Sequence, residues 1–291
     1  MSATAIPQIS GRRRRTDKFM RGLLFTATMI ALIPLILIIY YLFQKGLSAW
    51  TQSGFFTTDP TGSFFGSPGG IRSAILGSLE IVLLATLISI PTGIGVALYL
   101  TEYGKESWFA NTVRYFVDVM TGVPSIMFGL FIYIVLVVGR FGGSGFAAWK
   151  GAVAVSLLML PIVIRSSEVV LLLVPDSLRE AALALGAQRW RVVFRVVLPT
   201  AASGLVTGSL LAVARGMGET APLLFTVSTA FGLTFSLNQQ MNTMPFLIYT
   251  DITSPRAAIQ TIAWGTALTL VVIVLILNLV ARLIASRSRM A

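Results

Sequence analysis

Two stretches of this sequence carry groups able to do chemistry, and the first is a charged pair set inside an apolar segment. Arg215 and Glu219 lie in Ala214-Arg215-Gly216-Met217-Gly218-Glu219, four residues apart and hence on one face of a helix. An arginine at the centre of a bilayer costs about 2.5 to 3.5 kcal/mol on insertion scales. A same-helix partner in the Arg-to-Glu order returns only about 0.2 to 0.5 kcal/mol. The pair does not cancel its own cost, so the spacing predicts a hydrated path or the groups of a partner subunit beside it. There Arg215 offers a planar donor fork to an oxyanion, while Glu219 holds the fork and limits how tightly the anion binds. A static structural ion pair is the alternative.

Little else in the chain can react. With no His and no Cys, there is neither an imidazole relay nor a thiolate or disulfide, and only carboxylates, Lys, Arg and Tyr titrate. A membrane-embedded enzyme would cluster Asp, His or Cys at depth, and only isolated carboxylates occur. Glu168 follows Arg165 by three residues at a helix end, which reads as a surface pair. Glu80 and Asp118 stand near the ends of their spans, reach interfacial water and take no role.

The elements that position these groups are membrane spans. Of 291 residues 55% are hydrophobic and 11% charged, against roughly 25% charged in an ordinary soluble domain. Runs of about 20 apolar residues, each enough to cross ~30 Å of hydrocarbon, recur along the chain. They predict an all-α integral membrane protein, a polytopic bundle with spans at 22–43, 75–100, 115–138, 152–174, 200–228 and 257–281. The net charge of +11 would suit nucleic acid, but its distribution reads as topology instead. Lys45, Arg72, Arg140, Lys150 and Arg256 fall on one side, Arg215 falls within a span, and all the other basic residues fall on the opposite side. By the positive-inside rule both termini are then cytoplasmic.

The organisation expected is a basic cytoplasmic tail over 1–21 with Arg12, Arg13, Arg14, Arg15, Lys18 and Arg21, a first helix over 22–43 and an extracytoplasmic loop over 44–74. A core of five helices follows over 75–284, and a short cytoplasmic tail over 285–291. Phe55, Phe56, Phe64 and Phe65 in the first loop suit either the membrane interface or a docking surface. A second external loop covers 229–256. Prolines at 34, 91, 124, 161, 199 and 222 predict broken or kinked helices, whose freed backbone groups need neighbouring helices or a wet cavity.

The second stretch lies between the fourth and fifth spans. Asp176 or Ser177 can cap a helix, Glu180 falls in its first turn, Ala181, Ala182, Ala184 and Leu185 favour it, and Gly186 ends it. A second helix beginning near Trp190 completes a knob on the cytoplasmic side. Glu180-Ala181-Ala182, Gly186, Val196 and Leu198-Pro199 resemble the E-A-A loop of binding-protein-dependent ABC importer permeases, with Val196 where Ile is usual. The resemblance implies the type I importer permease fold and a coupling helix, with Glu180, Ala181, Ala182, Gly186, Leu198 and Pro199 seated in a groove of a separate ATPase. No G-x-x-x-x-G-K-[ST] occurs in the chain, so ATP and Mg are expected on that partner and no cofactor here.

Ala214-Arg215 with Gly218-Glu219-Thr220-Ala221-Pro222-Leu223-Leu224-Phe225-Thr226 is similar to the signature of PstA-type phosphate permeases. Tyr99-Leu100-Thr101-Glu102-Tyr103-Gly104, Gly122-Val123-Pro124-Ser125-Ile126-Met127-Phe128-Gly129 and Met244-Pro245-Phe246-Leu247 agree with it. This resemblance implies a transport pathway touching Arg215, Glu219 and Thr220 in a bacterial inner membrane. It also implies a second, PstC-like permease, two copies of a PstB-like ATPase, a PstS-like external phosphate-binding protein, and no catalysis in this chain. The E-A-A loop alone leaves sulfate or molybdate open as cargo. An ion-coupled secondary transporter would show inverted repeats, and no convincing internal repeat is found.

Overall fold

Proline decides where the apolar spans of this chain run through and where they break. The computed structural model describes residues 11–61, 67–139, 141, 143, 145–230 and 232–288, all helical or loop apart from one isolated bridge between Pro60 and Gly69. Residues 1–10, Phe64, Phe65, Arg140 and 289–291, on which the basic tail, the Phe-rich loop and the charge asymmetry partly rest, lie outside the described residues.

Helix α1 is Gly11–Trp50 and α2 is Arg72–Leu98, the latter prolonged by a π-helical turn at Tyr99–Gly104. Pro34 and Pro91 sit inside these helices without interrupting them. The third span is different. It is two helices, α3 (Trp108–Gly122) and α4 (Ser125–Ile132, extended by a π-helical turn at Tyr133–Val138), bent by 104°. Pro124 has no N–H to give, and its ring drives the residue before it out of the helical region; Val123 accordingly sits at φ −72, ψ 129.

Helix α5 (Ala148–Leu172) runs straight through Pro161. The segment after α5 forms α6 (Asp176–Ala184) and α7 (Arg189–Val192), and a π-helical turn at Val193–Val197 leads into α8 (Leu198–Met217). The fifth span, expected over 200–228 with Pro222 as a site of a kink or break, has its helix stop at Met217. Gly218, Glu219 and Thr220 leave the helix, and α9 (Ala221–Thr226) restarts with Pro222 in its first turn. Pro222 cannot donate to residue 218, so the break falls where the ladder would lose that bond. Helix α10 (Met244–Ile252) lies in the loop after α9, and α11 (Ala257–Ser288) follows it. Five helices are long and apolar enough to cross a membrane, six with α3–α4 taken as one broken span.

The centre is the α2–α5 pair, where Ile81, Ala85, Ala152, Val155, Met159 and Val163 share a core with Ala212 and Leu223. Helix α8 packs on α5 through a stripe of small residues four apart, Gly204, Gly208, Ala212 and Gly216. A Cβ at Gly204 would lie 2.5 Å from Val170, and one at Gly208 2.5 Å from the Ser166 hydroxyl. Lipid tails supply no hydrophobic drive for helix pairing, so such close van der Waals approach carries the association. Helix α1 packs chiefly on α11. Gly46 seats Leu268, and the Trp50 indole N–H donates to Thr269 Oγ1 at 3.0 Å.

Three expectations need correction. Glu168 is not a surface carboxylate: it is 5% exposed and accepts from Arg114 (2.7 Å) and Arg165 (2.6 Å), with Asp118 also paired to Arg165. This cluster binds α3 to α5. Phe55 does not rest in the interface or serve docking; it is buried against Gly265 of α11, while Phe56 beside it is exposed. Neither Asp176 nor Ser177 caps α6, since the N-cap position is Pro175 and no side-chain cap bond is made.

Between the spans, Asp251 on α10 has its carboxyl pushed up to about 6 by burial, against a hydrogen bond from Thr250 that pulls the other way. A carboxyl whose folded value is raised binds its proton more tightly in the fold. Its contribution to stability is therefore fully present below the ordinary value of 3.8 and lost as pH rises through about 6. Asp251→Asn is expected to raise the melting temperature at pH 7.5 and to flatten its rise on acidification from pH 7 to pH 4.5. Thermal denaturation in detergent over that range checks this; an unchanged pH dependence in the variant contradicts it.

Candidate transport site and coupling loop

The break between α8 and α9 places the charged pair. Arg215 stands in the last turn of α8 rather than mid-helix, where the negative end of the helix dipole favours a cation. Its Nη2 lies 3.0 Å from Glu219 Oε1, and the two side chains differ sharply in exposure, 58% for Arg215 and 12% for Glu219. The carboxylate is thus held in the protein while the guanidinium projects from it. Among the described residues Glu219 is its one ionic partner. Thr220 is half-buried at the start of α9, and its carbonyl accepts from the amides of Leu223 and Leu224 at 3.1 Å. The structure brings Arg215, Glu219 and Thr220 together at one non-helical turn.

That turn is backed by the other broken span. Helix α4 crosses α9 at Gly129, where a Cβ would come 2.6 Å from Pro222 Cα and 3.0 Å from its carbonyl oxygen, and Tyr133 meets Phe225 edge to face at 6.2 Å. Two interrupted helices in backbone contact can shift against each other without unzipping a long helical ladder. Gly129→Val forces α4 and α9 apart and is expected to cost about 1 to 3 kcal/mol, the range for overpacking a tight contact. A melting temperature and uptake rate equal to those of the parent protein would contradict the contact.

The 176–199 loop forms as its glycine dictates. Gly186 adopts φ +80, the Gly186 amide donates to Leu183 O (2.9 Å) and the Ala187 amide to Ala182 O (3.2 Å), a Schellman close to α6. Trp190 Nε1 donates to Gln188 Oε1 at 2.7 Å and settles the start of α7. The motif residues divide by direction. Ala182, Val196 and Leu198 pack against a cluster of Ala97, Leu171, Val174, Val192, Val197, Ala201 and Leu205. Glu180, Ala181, Gly186 and Pro199 are exposed, beside Leu185 at 90% exposure.

The family of binding-protein-dependent transport system inner membrane components matches residues 89–290, which include both sites. The chain belongs to this family. Within it the similarity is to phosphate transport system permease proteins PstA. The protein of that name from Yersinia pestis is 40% identical over 95% of this chain and 92% of its own length, and that from Haemophilus influenzae 40% over 93% and 94%. The Mycobacterium leprae protein is 38% identical over 96% of this chain and 91% of its own length. Among solved structures, a bacterial ABC transporter that imports alginate superposes with TM-score 0.64 at 14% identity, covering 94% of this chain and 96% of that one. A MetNI methionine ABC transporter in an inward-facing conformation gives 0.59 at 18%, covering 75% and 97%. The fold is that of the type I ABC importer permeases, and the chain is a PstA-type member of the family.

Two features of this PstA-type fold were not drawn from the sequence. One is the stripe of small residues on α8, whose period of four is visible in the residues themselves. The other is the burial of Glu102, which faces Arg179 across the loop at 2.9 Å. Tyr99-Leu100-Thr101-Glu102-Tyr103-Gly104 carries the family resemblance, but nothing in its spacing names a partner 77 residues away.

Proposed function

We propose that this chain is one of two permease subunits forming the path for inorganic phosphate in an ABC importer. The observation that carries the reading is the exposed Arg215 guanidinium at the break between α8 and α9, anchored by a nearly buried Glu219. A bidentate donor that is charged at all physiological pH suits a tetrahedral oxyanion. The adjacent carboxylate keeps the attraction weak enough for release. Thr220 adds a hydroxyl at the same turn.

The exposed face of the 176–199 loop is the seat proposed for an ATPase, with Glu180, Ala181, Gly186 and Pro199 in contact and Ala182, Val196 and Leu198 beneath. Two ATPase copies carry the ATP and Mg, this chain making or breaking no covalent bond. A second, PstC-like permease pairs with it, a PstS-like protein delivers phosphate from outside, and both termini lie in the cytoplasm. ATP-driven closure of the ATPases moves the knob, and the broken helices α3–α4 and α8–α9 relay that motion to the gate.

Labelled phosphate uptake in cells lacking the chain, with sulfate and molybdate as competitors, tests this. Restoring the gene is expected to restore phosphate uptake that excess sulfate and molybdate leave unaffected. Rescue of sulfate but not phosphate uptake would overturn the substrate assignment.

A further inference from the structure

A knob that receives force must also be tied to the spans that move. The contacts of α6 are uneven in this respect. Its main packing partners are α7 and the turn Val193–Val197, which belong to the same loop. Ala182 supplies the apolar contact of α6 with the cluster beneath. Behind the helix lies a cavity of about 240 Å³, lined by Glu102, Tyr103, Lys105, Leu183 and Val192 among others, where apolar packing would otherwise join the knob to the end of α2.

Across that gap runs one saturated guanidinium. Arg179 donates to Glu102 Oε1 from Nε at 3.1 Å and from Nη2 at 2.9 Å. It also donates to the carbonyls of Val174 (2.6 Å) and Leu171 (2.9 Å), and to Asp176 Oδ1 (3.0 Å). A single side chain of α6 thereby holds the C-terminal end of α5 and the π-helical turn that ends α2. Both partners are largely withdrawn from solvent, Arg179 at 14% and Glu102 at 10% side-chain exposure. Glu180 of the exposed motif lines the same cavity, but its side chain is exposed where those of the pair are sheltered. Charge-assisted bonds in a sheltered site keep their geometry under load better than a surface ion pair does.

We propose that Arg179 and Glu102 are positioning residues for energy coupling: the pair transmits displacement of α6 into α2, and through the α2–α5 core to the transport path. The inference rests on the reading of the chain as an ATPase-driven phosphate permease. It separates docking from transmission, since the exposed motif holds the ATPase and the sheltered pair passes on its movement.

The test uses the whole importer in proteoliposomes, measuring phosphate transported per ATP hydrolysed and the amount of ATPase copurifying with the permeases. Glu102→Gln and Arg179→Gln are expected to leave copurification intact and to lower phosphate per ATP about tenfold. The double exchange Glu102→Arg with Arg179→Glu is expected to recover part of the ratio. Because this chain contains no cysteine of its own, Arg179→Cys gives it one thiol, which a cationic thiol reagent can return to positive charge, with coupling read before and after and against the parent importer treated in the same way. Single variants that keep the parent ratio, or a reagent that leaves Arg179→Cys uncoupled, overturn the proposal. Loss of copurification also overturns it, since the pair would then serve docking. A parent assembly that fails to transport phosphate would instead sink the underlying functional reading.

Discussion

Arg215→Gln is expected to lower phosphate uptake roughly 10- to 150-fold with the abundance of the chain unchanged. A charge-assisted hydrogen bond is worth about 1.5 to 3 kcal/mol, and each 1.4 kcal/mol is about a factor of ten. Stability should scarcely move, because the guanidinium is more than half exposed and its single ion pair with Glu219 is of the weak, solvent-screened kind. Arg215→Lys keeps the charge but not the planar fork, so uptake intermediate between the parent and the Gln variant is expected. Initial rates of labelled phosphate uptake, normalised to the amount of chain in the membrane, measure both. Parental uptake by the Gln variant would leave the pair as a static structural contact.

The second large effect is expected at Gly186. Its φ of +80 closes α6, and a Cβ there would meet nothing within 4 Å, so space within the chain is not the obstacle. The backbone conformation is: left-handed geometry costs an L-residue about 1 to 2 kcal/mol, and more for a β-branched side chain. Gly186→Val is expected to unwind the Schellman close, move Leu185 and Ala187, and abolish copurification of the ATPase. Gly186→Asn adds a Cβ too but tolerates positive φ, so it should retain most of the assembly. Comparing the two variants isolates the backbone from the side chain. Equal copurification with Val and Asn would mean that the turn is not what presents the docking face.

What could be read from the residues differs by the range of the interaction. The spans were legible because a ~30 Å slab imposes a length and composition on each of them. The coupling loop was legible because its glycine, alanines and Leu198-Pro199 act locally. Proline was legible as a warning but not as a result. Pro34, Pro91 and Pro161 lie in unbroken helices, while Pro124 turns its span through 104° and Pro222 follows a break. Two of those outcomes have local reasons, Val123 forced into extended geometry and Gly218 placed four residues before Pro222. Whether neighbouring helices then accept the bend depends on contacts such as Gly129 against Pro222, which no single segment reveals.

The ionic clusters were the least legible. Glu168 reads as a neighbour of Arg165 in sequence, and only the approach of α3 brings Arg114 to its other oxygen. Glu102 and Arg179 are likewise ordinary surface residues until α2, α5 and α6 converge. Buried charges in a bilayer protein need partners, so each predicts one without identifying it. That is why the same reasoning that found Arg215 and Glu219, four apart on one segment, passed over pairs assembled from three.

The central claim is that hydrolysis on an ATPase seated on the 176–199 knob drives phosphate past Arg215. Its most direct test is radiolabelled phosphate uptake by sealed proteoliposomes carrying the complete importer, with ATP supplied to the face that bears the knob. Accumulation with ATP, none with a non-hydrolysable analogue, and initial uptake lowered roughly 10- to 150-fold with Arg215→Gln are expected. Phosphate accumulation driven by an imposed ion gradient in the absence of ATP would contradict the claim.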